Sequence, residues 1–99
     1  MSFKEEVIDL IERCNKNIII HPHAAEQAVA RNINIEIVKD KIIKNDFIDA
    51  VPNFNERKQY KADNSFIIKI RQSKTYNIEA VTYFYLRNKV LITTVYKSV

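Results

Sequence analysis

The sequence predicts an α+β domain of two layers, with N-terminal helices packed on one face of a curved antiparallel sheet of about four or five strands. Two observations carry that expectation. Apolar residues recur every three to four positions through residues 3–43 and every two positions from residue 47 onward. Helical segments followed by a run of strands, rather than alternating with them, fit helices on one side of an antiparallel sheet. A chain of 99 residues suits one domain and is short for two, so residues 1–99 are taken as a single unit, 1–45 helical and 46–99 sheet.

The elements follow in order. Phe3, Val7, Leu10, Ile11 and Cys14 form one apolar stripe and predict a helix over 2–14. Ser2 with Glu5 three residues on reads as a capping box. Asn15-Lys16-Asn17 ends this helix. Ile18-Ile19-Ile20 is too short for a helix and β-branched throughout, so it predicts a short extended segment. Pro22 suits a first helical position, and a second helix is expected to run to Arg31, with Asn32 as its left-handed cap. Residues 35–44 predict a third helix with Ile35, Val38 and Ile42 inward. Phe47–Val51 predicts a short strand ended by Pro52. Arg57–Ala62 alternates weakly and suggests an edge strand, with Asp63-Asn64 as a hairpin turn. Ser65–Arg71, Tyr76–Leu86 and Val90–Lys97 complete a meander.

Composition narrows the function. The chain has no glycine, so a glycine-rich phosphate loop is excluded, and with it most nucleotide-dependent enzymes. Its single cysteine, Cys14, cannot form an internal disulfide, and a reducing cytoplasm is the expected location. No apolar run approaches the ~20 residues that span a bilayer. His21-Pro22-His23 resembles a metal pair, but there is no other histidine and no second cysteine, so no metal or other cofactor is expected. Charge is divided: residues 1–56 hold seven Lys/Arg and ten Asp/Glu, residues 57–99 hold nine and two, net −3 and +7. A basic C-terminal half fits an anionic partner, with RNA foremost, or a solvated basic face with no ligand.

Two groups of residues could carry chemistry. On the second helix, His23, Glu26, Gln27 and Arg31 share an arc of about 140° at about 100° per residue, opposite alanines that would pack closely on the sheet. A metal-free ribonuclease needs a proton-transfer group and a phosphate clamp, because RNA supplies its own 2′-OH nucleophile. His23 suits the first role and Arg31 the second. The same two residues equally suit a helix-start histidine bonded to backbone or a carboxylate, and an arginine paired with Glu26 or Asp49. On the sheet, the face away from the helices should show Lys69, Arg71, Tyr83 and Tyr85, with some of Arg57, Lys61 and Lys97. Aromatics among cations make a platform for RNA bases and phosphates, or an ordinary open sheet face.

His23-Ala24, Arg31 eight residues on, and then Ile33 and Val38 resemble a family of small prokaryotic proteins of unknown function. Its motif is His-Ala-x-x-Arg-x-x-x-Arg-Gly-Ile, followed by a helix and a curved antiparallel sheet whose last strand ends in Thr-Val-Tyr. Thr94-Val95-Tyr96 stands in that place here. That family is distantly similar to the BrnT and RelE/ParE toxins, in a fold group that includes barnase-like ribonucleases. The resemblance covers residues 18–97 and departs at Gln27, where the family has its first arginine, and at Asn32, where it has glycine. It implies a RelE- or barnase-like fold and a toxin-type endoribonuclease with a cognate antitoxin. His23, Arg31 and Tyr96 would be its catalytic residues. The alternative is a non-catalytic module of the same fold that binds nucleic acid or protein.

Overall fold

Three helices end in the same way, and their ends set the path of the first half of the chain. The computed structural model describes residues 2–99, with α1 Lys4–Arg13, α2 Pro22–Ala30 and α3 Ile35–Ile43. After each helix an asparagine takes a left-handed conformation: Asn15 at φ 60°, Asn32 at 56° and Asn45 at 60°. Each turn carries the paired bonds of a Schellman motif. The Lys16, Ile33 and Asp46 N–H groups reach back to the carbonyls of Ile11, Ala28 and Lys41, and the asparagine N–H groups donate to Glu12, Val29 and Ile42. Asparagine is the residue best fitted for this in a chain without glycine. Other left-handed positions fall on Lys16, Lys61 and Arg87.

Five strands form one mixed sheet: β1 Ile18–Ile20, β2 Asp49–Pro52, β3 Asn64–Arg71, β4 Asn77–Tyr85 and β5 Lys89–Ser98, in spatial order β1-β5-β4-β3-β2. The pairs β2–β3, β3–β4 and β4–β5 are antiparallel. The expected sheet was antiparallel throughout, but β1 runs parallel to β5, pairing Ile18 with Val90 and Ile20 with Ile92. The expected edge strand over 57–62 is instead a single 3₁₀ turn, Lys58–Tyr60, within a long connection from β2 to β3. Asp63-Asn64 is therefore not a hairpin turn. The Ser2–Glu5 capping box is also absent: α1 begins after Phe3 without a side-chain cap. Ser2 accepts instead from the Lys4 N–H.

One core lies between the helices and the sheet. Val7, Leu10 and Ile11 of α1, Ala24 and Ala28 of α2, and Val38 and Ile42 of α3 meet Phe66, Ile68, Ile70, Ile78, Ala80, Phe84, Ile92 and Val95 of the strands. The alternation of β3 and β4 puts Ile67, Lys69, Val81 and Tyr83 on the opposite face. In β5 that alternation is interrupted. Val81 pairs with Thr94 but Thr82 pairs with Ile92, so Thr93 is an extra residue, a β-bulge. A one-residue insertion reverses which face each later side chain occupies. Val95 thereby enters the core, Tyr96 moves to the open face, and Lys97 moves to the helix side. Among the described residues, no helix is long and apolar enough to cross a membrane.

The left-handed caps predict the response to substitution. Asn32→Gly should keep or raise the denaturation midpoint, and Asn32→Val should lower stability by about 1–2 kcal/mol, the cost of placing a β-branched side chain without a local hydrogen-bonding amide in that conformation. Urea denaturation of both variants checks this.

Candidate functional site

Beyond Ile92, β5 has no strand on its outer side, because β1 ends at Ile20. The exposed backbone there is taken by α2. Arg31 Nη1 donates to the Val95 carbonyl at 2.6 Å, and the Val95 N–H donates to Gln27 Oε1 at 3.1 Å. Gln27 Nε2 lies 3.0 Å from His23 Nε2. Three of the four polar residues predicted on α2 thus form one chain of hydrogen bonds that stands in for a missing neighbour strand. Arg31 makes no ion pair with Glu26 or Asp49: the ion pairs among the described residues join Asp9–Arg13, Glu12–Lys16, Lys41–Asp46 and Asp40–Lys44.

His21 and His23 flank the start of α2. His21 continues the ladder with β5, its N–H donating to the Ile92 carbonyl. Its ring caps the helix, Nδ1 accepting from the His23 N–H at 3.0 Å. The same ring lies edge-on to Tyr60, centroids 6.3 Å apart. His23 is exposed.

The connection after β2 folds over the open face of the sheet. The Arg57 N–H donates to the Tyr83 hydroxyl at 2.8 Å, and the Tyr85 hydroxyl donates to the Tyr60 carbonyl at 2.6 Å. Tyr60 packs on Tyr83 with centroids 4.6 Å apart. Asn53 Nδ2 donates to the buried Ser65 hydroxyl, which donates in turn to the Thr82 carbonyl. Between this loop, the sheet and the start of α2 lies a groove of about 470 Å³. Its walls carry His21, His23, Asn55, Arg57, Thr94 and Tyr96 over a floor of Ile67, Val81 and Tyr83.

The residues singled out from sequence separate on this frame. His23, Tyr96 and Tyr83 line the groove. Tyr83 is only 2% exposed, so it anchors the loop and presents no free ring for a base to stack on. Tyr85 lies under the same loop, with Lys89 Nζ 5.2 Å from its centroid. Lys69 does face away from the helices, but its register neighbours are Asp49 and Glu79, so that row is not a cationic platform. Hydrogen bonding from Ser2, aided by the Ala50 N–H and the charge of Lys69, holds the Asp49 carboxyl below its ordinary range against some desolvation. Arg71 is exposed at the far end of β3. Lys97, expected on the open face, stacks over Tyr76 at 4.8 Å on the helix side, because the Thr93 bulge reversed its orientation. Arg31 sits on the β5 backbone and does not line the groove.

Sequence reading missed Asn53, Asn55 and Tyr60 as parts of the site. They fall in an irregular loop, where periodicity carries no information about direction. The loop's density of asparagines and cations, Asn53-Phe54-Asn55-Glu56-Arg57-Lys58, was the only local signal. Cys14 is buried, its thiol donating to the Tyr85 carbonyl at 3.4 Å. Burial pushes that thiol above its ordinary value, as befits a core residue. No group of three metal-ligating side chains occurs among the described residues.

The groove as a whole presents hydrogen-bond donors and one unpaired guanidinium, Arg57, along an apolar floor. That combination suits a phosphate group. No protein-family model, curated protein sequence or solved structure matches the chain.

Arg31→Ala should destabilise the fold by about 1.5–3 kcal/mol, the usual worth of a charge-assisted hydrogen bond, while Arg57→Ala should change stability by less than about 0.5 kcal/mol. Chemical denaturation of the two variants separates a structural arginine from a free one. A second outcome concerns alkaline pH. Burial first, then the charge and hydrogen bond of Glu79, push the Tyr96 phenol above its ordinary value. The folded state therefore keeps this proton after the unfolded chain, titrating near ~10, has lost it. The stabilisation is complete below that value and disappears as pH rises through the higher folded one. Between about pH 9 and 11, Tyr96→Phe should lose less stability than the parent protein, measured by urea midpoints.

Proposed function

We propose that the protein acts on RNA at the His21–His23 groove, as a metal-free endoribonuclease of the toxin type working in the cytoplasm under a cognate antitoxin. The observation that carries the proposal is the convergence of two imidazoles and an unpaired guanidinium on a groove of about 470 Å³. Cleavage through the 2′-OH passes that hydroxyl's proton to a base as the 2′-O–P bond forms, spreads charge over the scissile phosphate, and gives a proton to the 5′-oxygen as its P–O bond breaks. His23 is the imidazole placed for this exchange: it takes the 2′-OH proton at Nε2 once the Gln27 amide releases that nitrogen, and returns it to the 5′-oxygen, while the His21 N–H steadies the phosphate charge. Arg57 takes the phosphate-holding role first assigned to Arg31, whose guanidinium is engaged with Val95. Thr94 and Tyr96 line the same groove, the Tyr96 hydroxyl donating to Glu79. The likeness of His23-Ala24 and Thr94-Val95-Tyr96 to the motif family supports the same reading.

One observation favours a second reading, a non-catalytic module that holds RNA or a protein in the same groove. A ring nitrogen of each histidine is already occupied, in His21 by the His23 N–H and in His23 by Gln27. Such a module binds in a salt-dependent way and leaves its ligand intact.

Single-stranded RNA incubated with the protein in excess EDTA decides between them. The nuclease reading expects products ending in a 2′,3′-cyclic phosphate. It also expects a rate loss of roughly 10²-fold or more in His23→Ala and a raised KM in Arg57→Ala. RNA that is bound but left whole, with binding indifferent to His23→Ala, establishes the module. RNA neither bound nor cut overturns both.

A further inference from the structure

We infer that Gln27 fixes the tautomer of His23, so that the groove meets an anionic phosphate oxygen with neutral imidazole N–H donors and not with a free base. The identity of the anion rests on the groove being an RNA site, as proposed above. The tautomers follow from hydrogen-bond donors alone. A backbone N–H can only donate, so the Gln27 atom 3.1 Å from the Val95 nitrogen must be the amide oxygen. The amide NH₂ is then the group 3.0 Å from His23 Nε2. An NH₂ also only donates, so His23 Nε2 must offer its lone pair. Neutral imidazole carries one N–H, and in His23 it must be on Nδ1.

His21 is constrained in the opposite sense. Its Nδ1 accepts from the His23 N–H, so its proton is on Nε2. The two neighbouring histidines hold opposite tautomers, each set by one internal donor. Both lone pairs are spent within the protein, and what remains at each ring is an N–H. In the resting site a neutral imidazole N–H stabilises negative charge on the phosphate. A base role for His23 at Nε2 requires the Gln27 link to that nitrogen to open. Gln27 is therefore a positioning residue: it acts on the ligand through His23.

The test uses the full chain with ¹⁵N-labelled histidine, observed by long-range ¹H–¹⁵N correlation at a pH where both rings are neutral. His23 should show the Nδ1–H pattern and His21 the Nε2–H pattern. In Gln27→Glu, one carboxylate oxygen can still accept from the Val95 N–H, while the other can only accept from His23. The His23 proton should move to Nε2, with Val95 amide exchange still protected. Finding Nε2–H on both rings of the parent protein, or a His23 tautomer unmoved in Gln27→Glu, overturns the assignment. Inorganic phosphate added to the parent protein should shift His23 Nδ1 in a saturable way, roughly tenfold more weakly in Arg57→Ala, the loss of one charged hydrogen bond. No shift at either ring overturns the anion part. If RNA stays uncut while the tautomers are as stated, the nuclease reading fails and this one stands.

Discussion

Past Ile92 the outer side of β5 has lost its parallel neighbour, and the backbone of Val95 must bond elsewhere or to water. Gln27 and Arg31 take both of its polar groups. That arrangement requires several other features. The bulge at Thr93 turns Val95 inward, and Ala24 and Ala28 are small enough to let α2 lie close to the sheet. The Asn32 turn stops the helix just after Arg31. An unpaired edge is where a sheet is open to association with other chains, and here a helix shields it with side chains.

The same device shapes the groove. Because α2 is fixed against β5, His21 and His23 are held at one wall while the bulge delivers Thr94 and Tyr96 to another. The remaining wall depends on two phenols. Tyr83 and Tyr85 meet the loop through a backbone N–H and a backbone carbonyl. A segment without strand or long helix is thereby given a defined course, and Arg57 is held beside the histidines. The tyrosines that alternate along β4 are thus fasteners for the loop, and the polar side chains of that loop become the exposed surface.

A chain without glycine has few ways to reverse direction. It uses asparagine at the three helix ends, where its side chain tolerates the left-handed region best, and lysine or arginine elsewhere. The turn between β4 and β5 shows how this is supported. Arg87 is left-handed, its N–H donates to the Arg13 carbonyl, and Asn15 and Asn17 donate to the carbonyls of Arg87 and Asn88. The end of α1 and the β-hairpin therefore stabilise each other.

The amino-acid sequence by itself determined the α+β class, the three helices with their asparagine ends, and the inward faces of β3 and β4. Each of these depends on periodicity or on the local preference of one residue, and both are written in neighbouring letters. The tertiary structure alone decided the partners of the polar groups. Nothing near Lys97 announces the bulge at Thr93 that turns it away from Tyr96. Nothing near Arg31 announces that a backbone carbonyl 64 residues away will occupy it. The parallel pairing of β1, the burial of Tyr83 and the arrival of Asn55 and Arg57 beside His23 are of the same kind. Hydrogen bonds are satisfied by whatever group the fold brings within about 3 Å, and which group that is depends on the whole chain.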